Sequence, residues 1–471
     1  MTRFCTIGAL SLLCLSCFGC TRIPPANDNG VSAIVNSRIN KETYWNHGCY
    51  EDERIANAIQ VLLQQELTAD VAVQIALLNN PKIQEIFEEI GIAQADLVDA
   101  GLFSNPTFDI IFRYPPKKEL KTNIEYSITS SLIDLFLIPL RVKVAKAELE
   151  QITLRVTNEI LDLAFEVEQT FYELQAAQQD LKYIQSIVEL TSIHSQLASR
   201  QQMVGNVNKL DFQQIQAKYL EAKLEIARIQ NDIIRSREKL NRLLGFCGDI
   251  HWMVSDNLPE IDYQGLPIQY LESVAFRERL DLQSARFDVL RLSRMLGIKQ
   301  WWVYTQGRLG IGGERDPDGT SFIGPAFSGE IPIFNYGQAD RMRIRAELRQ
   351  AQDQLAALEI QVLSEVREAH KLLMNNLGII NDYRAHIIPL QSKILESSEE
   401  LYNVMGLGID RLLENKRQEF QAYSNYIKSL RDYWIARVQL DRALGGKLYL
   451  VLSQVDHEMN TYECHYEGVS E

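Results

Sequence analysis

The feature that most constrains this chain is a weak internal repeat: the segment around residues 70–245 recurs in step around 270–445. Ala76, Ile83 and Gln84 align with Ala275, Leu282 and Gln283, and Ala147-Glu148-Leu149 aligns with Ala346-Glu347-Leu348. Leu174, Leu181 and Val188 meet Leu373, Ile380 and Ile387, and all of these pairs stand 199 positions apart. At an offset of 200, Leu240-Asn241-Arg242-Leu243-Leu244-Gly245 answers Leu440-Asp441-Arg442-Ala443-Leu444-Gly445. A fixed offset held across so many helical turns points to tandem duplication of one structural unit.

A hydrophobic content of 46% fits a globular or coiled-coil chain rather than a disordered one. The formal charge of −14 argues against nucleic acid as a partner, because neutralising phosphates needs clustered Lys and Arg. Residues 1–19 carry Arg3 and then the apolar run Phe4 to Phe18, the shape of a signal peptide and too short to span a bilayer. Gly19-Cys20 at its end resembles a bacterial lipoprotein cleavage box, although Cys17 stands where Leu is usual. Two readings stand here: lipidation of Cys20, or ordinary cleavage nearby. Cys49, Cys247 and Cys464 are scattered and offer no paired framework. Beyond the leader no run of 18 or more residues is apolar throughout. If the chain crosses a membrane, it must do so as closed β structure.

Residues 20–60 are polar, with Pro24-Pro25 and Asn27-Asp28-Asn29-Gly30, and read as an extended linker behind a lipid anchor if Cys20 carries one. Structure begins with the first repeat, residues 61–260. Thr68 or Asp70 caps a helix that Asn79-Asn80-Pro81 breaks, and a second helix follows to about Gly101. Residues 107–114 then alternate, with Phe108, Ile110, Phe112 and Tyr114 on one face, Thr107, Asp109 and Arg113 on the other, and Ile111 as the exception. Residues 121–132 alternate too, Ile124, Tyr126, Ile128 and Leu132 opposing Asn123, Glu125, Ser127 and Thr129. Period two means strand, and Pro115-Pro116-Lys117-Lys118 makes the connecting loop.

The second repeat, residues 261–446, gives strands at about 301–312 and 321–333. Trp301, Val303, Thr305, Leu309 and Ile311 share one face of the first; Ile323, Pro325, Phe327, Ile331 and Ile333 share one face of the second. Residues 447–471 form a tail. After each hairpin comes a nearly breaker-free helical stretch, about Arg141 to Val204 and about Asp340 to Val404, which would extend roughly 100 Å. Apolar positions such as Leu174, Ala177, Leu181, Ile184 and Val188 run near the coiled-coil spacing. Pro389 should bend the second rod or mark a local irregularity. Each rod ends at a turn, Gly205-Asn206 or Gly406-Leu407-Gly408, and a returning helix stops at Gly245 or Gly445-Gly446.

The fold class is therefore mainly α with short β-strands, built as a duplicated unit of helix, hairpin, long helix and helix. Four strands cannot close a barrel, since about eight are needed to fill an interior and more to leave it open. Three copies would supply twelve strands, and the rods would continue as a helical tube. An exported chain of that shape is a conduit.

Leu67-Thr68-Ala69-Asp70, Ala76-Leu77-Leu78-Asn79-Asn80-Pro81, Gly101-Leu102-Phe103-Ser104-Asn105-Pro106, Ile331-Pro332-Ile333-Phe334-Asn335-Tyr336-Gly337-Gln338 and the two tip glycines together resemble the TolC outer-membrane efflux family over about residues 67–446. Leu280 departs from a frequent proline, and Ser104 from another. The resemblance implies a homotrimer in outer-membrane lipid, with a twelve-stranded barrel continuing into a periplasmic α-helical barrel. Its tip would dock on an adaptor and an inner-membrane pump or exporter. It also implies a periplasmic gate at the tips, where Gly408 to Leu412-Leu413-Glu414 and Gly205 to Leu210-Asp211 carry the tip pattern. Carboxylates of Asp211 and Glu414, tripled around an axis, would repel each other and attract cations. The alternative is that both are acids favourable at helix N-termini. Asp410 and Arg411 are candidates for tip ion pairs that hold a closed state, and Arg417 stands where some relatives carry a second acid.

Trp301, Trp302, Tyr304 and Phe334 form either an interfacial belt or packing at a strand-helix junction. Gly310-Ile311-Gly312-Gly313 lies at a strand end with no helix after it, so it reads as strand rather than phosphate loop. Asp316-Pro317-Asp318-Gly319 is a hairpin turn without the later ligands of a calcium loop. The residues suggest no enzyme, cofactor or metal site. A periplasmic coiled-coil scaffold is the competing class.

Overall fold

The computed structural model describes residues 27–451 apart from Cys49, Leu132, Asp249, Asp256 and the stretches 115–120, 262–266 and 302–306. The leader, Cys20, the Pro115 to Lys118 loop, Trp302, Tyr304 and the tail beyond Val451 lie outside the described residues. Four helices come first: α1 (Val31–Ile39), α2 (Tyr50–Leu62), α3 (Ala69–Asn79) and α4 (Pro81–Ala100). The first hairpin, β1 (Thr107–Arg113) and β2 (Asn123–Ser130), leads into α5 (Asp134–Met203), and α6 (Lys209–Leu243) returns. The second half follows the same plan: α7 (Ile268–Glu278), α8 (Leu280–Trp301), β3 (Arg308–Arg315), β4 (Ser321–Ser328), α9 (Gln338–Asp382), a π turn (Tyr383–Ile387), α10 (Ile388–Asn403) and α11 (Ile409–Leu444).

Local chemistry sets these boundaries. Thr68 Oγ1 accepts the Val71 amide to open α3. Asn80 ends α3 and caps α4 through the Lys82 amide, with Pro81 at the first helical position, where a missing N–H costs nothing. Asn79 and Asn80 also donate their side-chain amides to the carbonyls of Leu244, Gly245 and Leu243. That ties the α3–α4 corner to the end of α6. Gly245 sits at φ 73° with its α-carbon pressed on the corner; a Cβ there would lie 2.6 Å from the Asn79 carbonyl oxygen. Pro389 has its consequence just upstream, where the π turn absorbs the lost hydrogen bond of α10.

Four expectations are corrected. The segment before residue 61 is not an extended linker throughout: α1 buries Val31, Val35 and Ile39, and Trp45 stacks on Phe87 at 5.6 Å. Three glutamines of α3 and α4 hold this arm by its backbone. Gln74 pairs with both peptide groups of Glu42, Gln84 with the Asn46 amide and Tyr44 carbonyl, and Gln94 with both peptide groups of Asn27. Polar composition hid the arm because its hydrogen-bond partners are polar. Second, α5 starts at Asp134 rather than near Arg141, with Pro139 tolerated close to its start. Third, Trp301 belongs to the end of α8 and the strand begins at Arg308; buried Leu292 and Ile298 carry the helical pattern forward. Fourth, β4 ends at Ser328 rather than 333, because its partner β3 begins at Arg308 opposite Ser328 and Pro332 then lacks a donor.

The two hairpins join in one antiparallel sheet of order β1-β2-β3-β4, β2 and β3 pairing across the repeats. The register places Phe108, Ile128, Ile311 and Pro325 in one row and Ile110, Tyr126, Gly313 and Ile323 in the next, all on one face. Opposite are Asp109, Ser127, Gly312 and Gly324, with Ile111 and Phe322 as the apolar exceptions. The apolar face is bare: Phe108 is 60% exposed, Ile311 66% and Phe327 75%. Both edge strands have one unpaired side. The rods behave differently. α5 packs along α4, α6, α8 and α11, and its Val167 and Leu174 are fully buried, as are their counterparts Val366 and Leu373 in α9. No described helix is long and apolar enough to cross a membrane.

Candidate functional site

The candidate site is the end of the molecule remote from the sheet, where α5 turns into α6 and α10 into α11. The first turn is a left-handed helix cap. Gly205 adopts φ 80°, its amide reaching the Gln202 carbonyl and the Asn206 amide reaching Gln201. The second tip has the same hydrogen bonds, Met405 to Tyr402 and Gly406 to Leu401, but the left-handed residue is Met405 at φ 56°. The structural counterpart of Gly205 is therefore Met405. Gly408 instead caps α11 at φ −74°, ψ 149°, a conformation open to any residue, and its counterpart is Asn208.

This register separates the candidate carboxylates. Asp211 lies in the first turn of α6, where the Asn208 carbonyl oxygen accepts its amide at 2.8 Å and the Asn208 amide donates to its carboxylate at 2.7 Å. That is a reciprocal cap, with the acid placed favourably for the helix dipole. The residue matching Asp211 in the second tip is Arg411, which makes no ion pair among the described residues. Asp410 instead meets His194 of α5, Oδ1 to Nε2 at 2.8 Å.

Glu414 is the most strongly held acid of the tip. Arg417 grips it bidentately, at 2.7 and 3.2 Å, and Lys218 of α6 reaches it at 3.2 Å. The hydrogen bonds from Arg417, then its charge and Lys218, hold the carboxyl well below its usual range, at about 2. At neutral pH it is ionised. Its negative charge is spoken for within one chain, so the arrangement is an electrostatic tie rather than a bare acid. The His194–Asp410 and Lys218–Glu414 contacts both join the α5–α6 pair to α11. The sequence reading named the acids and missed His194, Lys218 and Asn208. No spacing rule relates residues that meet only because three antiparallel helices lie side by side.

A second ionic centre lies where the chain returns past α11. Lys447 reaches Asp70 at 2.8 Å and Glu168 at 3.9 Å, while Asp441 accepts the Leu448 amide at 3.1 Å. Burial pushes Glu168 up to about 7 against the pull of Lys447, and burial also raises Asp441. The cluster ties the segment after α11 to α3 and α5. Among the described residues no group of three or more His, Cys, Asp or Glu side chains could hold a metal ion.

An open apolar sheet set on a duplicated pair of helical rods is an architecture that this chain shares with solved outer-membrane channels. Residues 72–246 match the family described as outer membrane efflux protein. Over that stretch the chain resembles the family. It is 21% identical to the cobalt-zinc-cadmium resistance protein CzcC of Cupriavidus metallidurans over 389 residues, 80% of this chain and 90% of that protein. Its fold is that of the Campylobacter jejuni CmeC outer membrane channel, with a TM-score of 0.67 at 15% identity over 91% of this chain and 94% of that one. CusC, whose structures describe transmembrane channel formation, superposes with a TM-score of 0.64 at 15% identity over 81% and 92%.

Proposed function

We propose that this chain is the exit duct of a tripartite efflux or type I secretion assembly. Three copies join edge to edge into a twelve-stranded barrel in the outer membrane, and their rods form a periplasmic tube. The observation that carries this reading is the uncovered four-stranded sheet, apolar on one face and polar on the other, with both edges free. In water such a sheet exposes unpaired backbone and apolar side chains; a closed barrel in lipid satisfies both. A scaffold would have folded its strands onto its own rods.

The duct performs no chemistry. Cargo moves through the bore, and energy comes from an inner-membrane pump or exporter joined through a periplasmic adaptor at the tips. The leader, residues 1–19, is removed, and lipidation of Cys20 anchors the arm that the three glutamines seat on α3 and α4. Asp410 and Glu414 act as ties that keep α11 against α5 and α6 when the gate is shut, with Asp211 supporting the first tip. Gly205 ends the first rod and Gly408 opens α11, both in turns that an adaptor can reach, and Arg411 is free to meet an acid on it. The name of the CzcC relative makes cobalt, zinc and cadmium ions the first cargo to test. Envelope fractionation tests the core claim: heat-modifiable trimers in the outer membrane that conduct in planar bilayers are expected. A soluble periplasmic species would overturn it.

A further inference from the structure

The chain is acidic overall, yet its cations crowd one level. The stretches 141–146, 291–299 and 341–349 hold ten Lys or Arg and one acid, Glu347. They occupy the sheet-side ends of α5, α8 and α9, and at 1.5 Å per residue all lie within about 18 Å of those ends. The arrangement is repeated in both halves. Lys146 directly follows buried Ala145, and its counterpart Arg345 directly follows buried Ile344.

Four of the ten are compensated locally. Arg141 meets Asp134 at 3.1 Å, Arg291 meets Asp288 at 2.7 Å, and Lys299 meets Asp340 at 3.2 Å. Arg341 donates to the carbonyls of Tyr336 and Gly337. Lys143, Lys146, Arg294, Arg343, Arg345 and Arg349 have no carboxylate within ion-pair reach among the described residues. Arg294 even donates to the Lys143 carbonyl, at 2.9 Å, which holds two of these cations side by side. Because α5 and α9 both start at the sheet, the Cα–Cβ bonds of their cations lean toward it. Between cations and sheet stands an apolar collar of Phe136, Ile331, Ile333 and Phe334, all largely exposed and leading into the apolar face.

An apolar ring followed by uncompensated cations matches the order of a leaflet met from inside, acyl chain and then phosphate. We infer that this level is a basic collar that binds anionic phospholipid headgroups of the periplasmic leaflet. The inference rests on the reading of the sheet as a membrane wall. Headgroup phosphates meet the cations nearest the sheet, and those further down add a longer-range attraction that salt screens. The partner is fixed by charge and depth rather than by a shaped pocket.

The test uses the full-length trimer in nanodiscs of phosphatidylcholine alone or of an equal mixture with phosphatidylglycerol, with the lipid retained on detergent extraction read by native mass spectrometry. Each cation at an anionic surface is worth about fivefold. The wild type should therefore retain phosphatidylglycerol over phosphatidylcholine by at least about tenfold at low salt, and the preference should collapse at high salt. Lys143→Gln, Lys146→Gln, Arg343→Gln and Arg345→Gln together should abolish it. The same charge change far from the sheet, at Lys223, Lys371, Arg384 and Lys393, should leave it intact. The salt titration of the wild type decides the matter even if the collar variant fails to assemble. Conducting trimers without lipid preference would overturn the collar alone, whereas failure to insert at all would overturn the channel reading. A collar variant that keeps the preference but changes anion conductance would place these cations on the bore and refute the inference.

Discussion

The two repeats share a backbone and differ in where they place charge. In the first, Glu168 is buried among Lys447, Asp441 and Asp70; its counterpart in the second, Arg367, lies half exposed against Glu272. At the tips the contrast reverses. The first tip satisfies itself, with glycine in the left-handed position and Asn208 capping with Asp211, while the second puts methionine there and sends both acids to partners on the first. Duplication thus preserved the apolar register that builds the rods and left polar positions free to specialise. One end of the first repeat became an anchor for the segment after α11, and the tip of the second became the part that grips.

The largest expected effect sharpens the comparison at the helix ends. Gly245→Ala forces a Cβ into the Asn79 carbonyl and should cost about 3 kcal/mol or more, whereas Gly445→Ala, whose Cβ would meet Arg279 at 3.3 Å, should cost about 1–2 kcal/mol. Urea unfolding of the detergent-solubilised protein checks the order, and equal losses would deny the asymmetry.

The buried acid gives the next effect. A carboxyl whose folded pKa is raised is stabilised in its protonated form, so this contribution is complete below about 4.5, shrinks as pH rises and is gone above about 7. Glu168→Gln should flatten the stability profile between those values and raise stability at pH 8 by about 2 kcal/mol. Arg367→Gln, in the matching position, should leave the profile unchanged. Thermal unfolding across pH separates them.

At the tips the signs should oppose each other. Met405→Gly relieves a left-handed side chain and should stabilise by up to about 1 kcal/mol, while Gly205→Ala should destabilise by about 1 kcal/mol. Differential scanning of both variants is enough, and like signs would mean the two turns are not equivalent.

The smallest stability change belongs to the ties, where the functional readout is larger. Glu414→Gln should cost no more than about 1 kcal/mol, since its pairs are partly solvated. The lowered pKa makes that contribution complete above about 4.5 and lost as pH falls toward 2. Combined with Asp211→Asn it should raise conductance in planar bilayers, and Glu414→Gln alone should account for most of the rise. Unchanged conductance and selectivity would remove both residues from the gate.

Much of the fold was legible because it rests on period and punctuation. Thr68, Asn80 and Gly245 act locally, and the alternation at Phe108 to Phe112 and Ile124 to Ile128 needs no tertiary knowledge to read. The errors fell where local signals were neutral. Trp301 fits a strand by alternation and a helix by continuity with Ile298, and packing chose the helix. The arm at residues 27–48 looked like linker because its few buried apolar residues, Val31, Val35, Ile39 and Trp45, are spread through a polar stretch whose backbone is held by glutamine side chains. At the candidate site the sequence supplied the acids but not their partners, and matching Gly205 with Gly408 paired Asp211 with Glu414, three positions beyond the Arg411 that the backbone pairs with it.

By itself the sequence determined the duplicated plan, the two hairpins, the length of the rods and the two chemically distinct faces of the sheet, because each follows from spacing along one chain. Only the tertiary structure decided that β2 joins β3 across the repeats, that His194 faces Asp410 and Lys218 faces Glu414, and that six cations at the foot of the sheet have no carboxylate within ion-pair reach among the described residues. Those depend on which surfaces of separate helices meet, and contact between residues some two hundred positions apart leaves no periodic trace in either one.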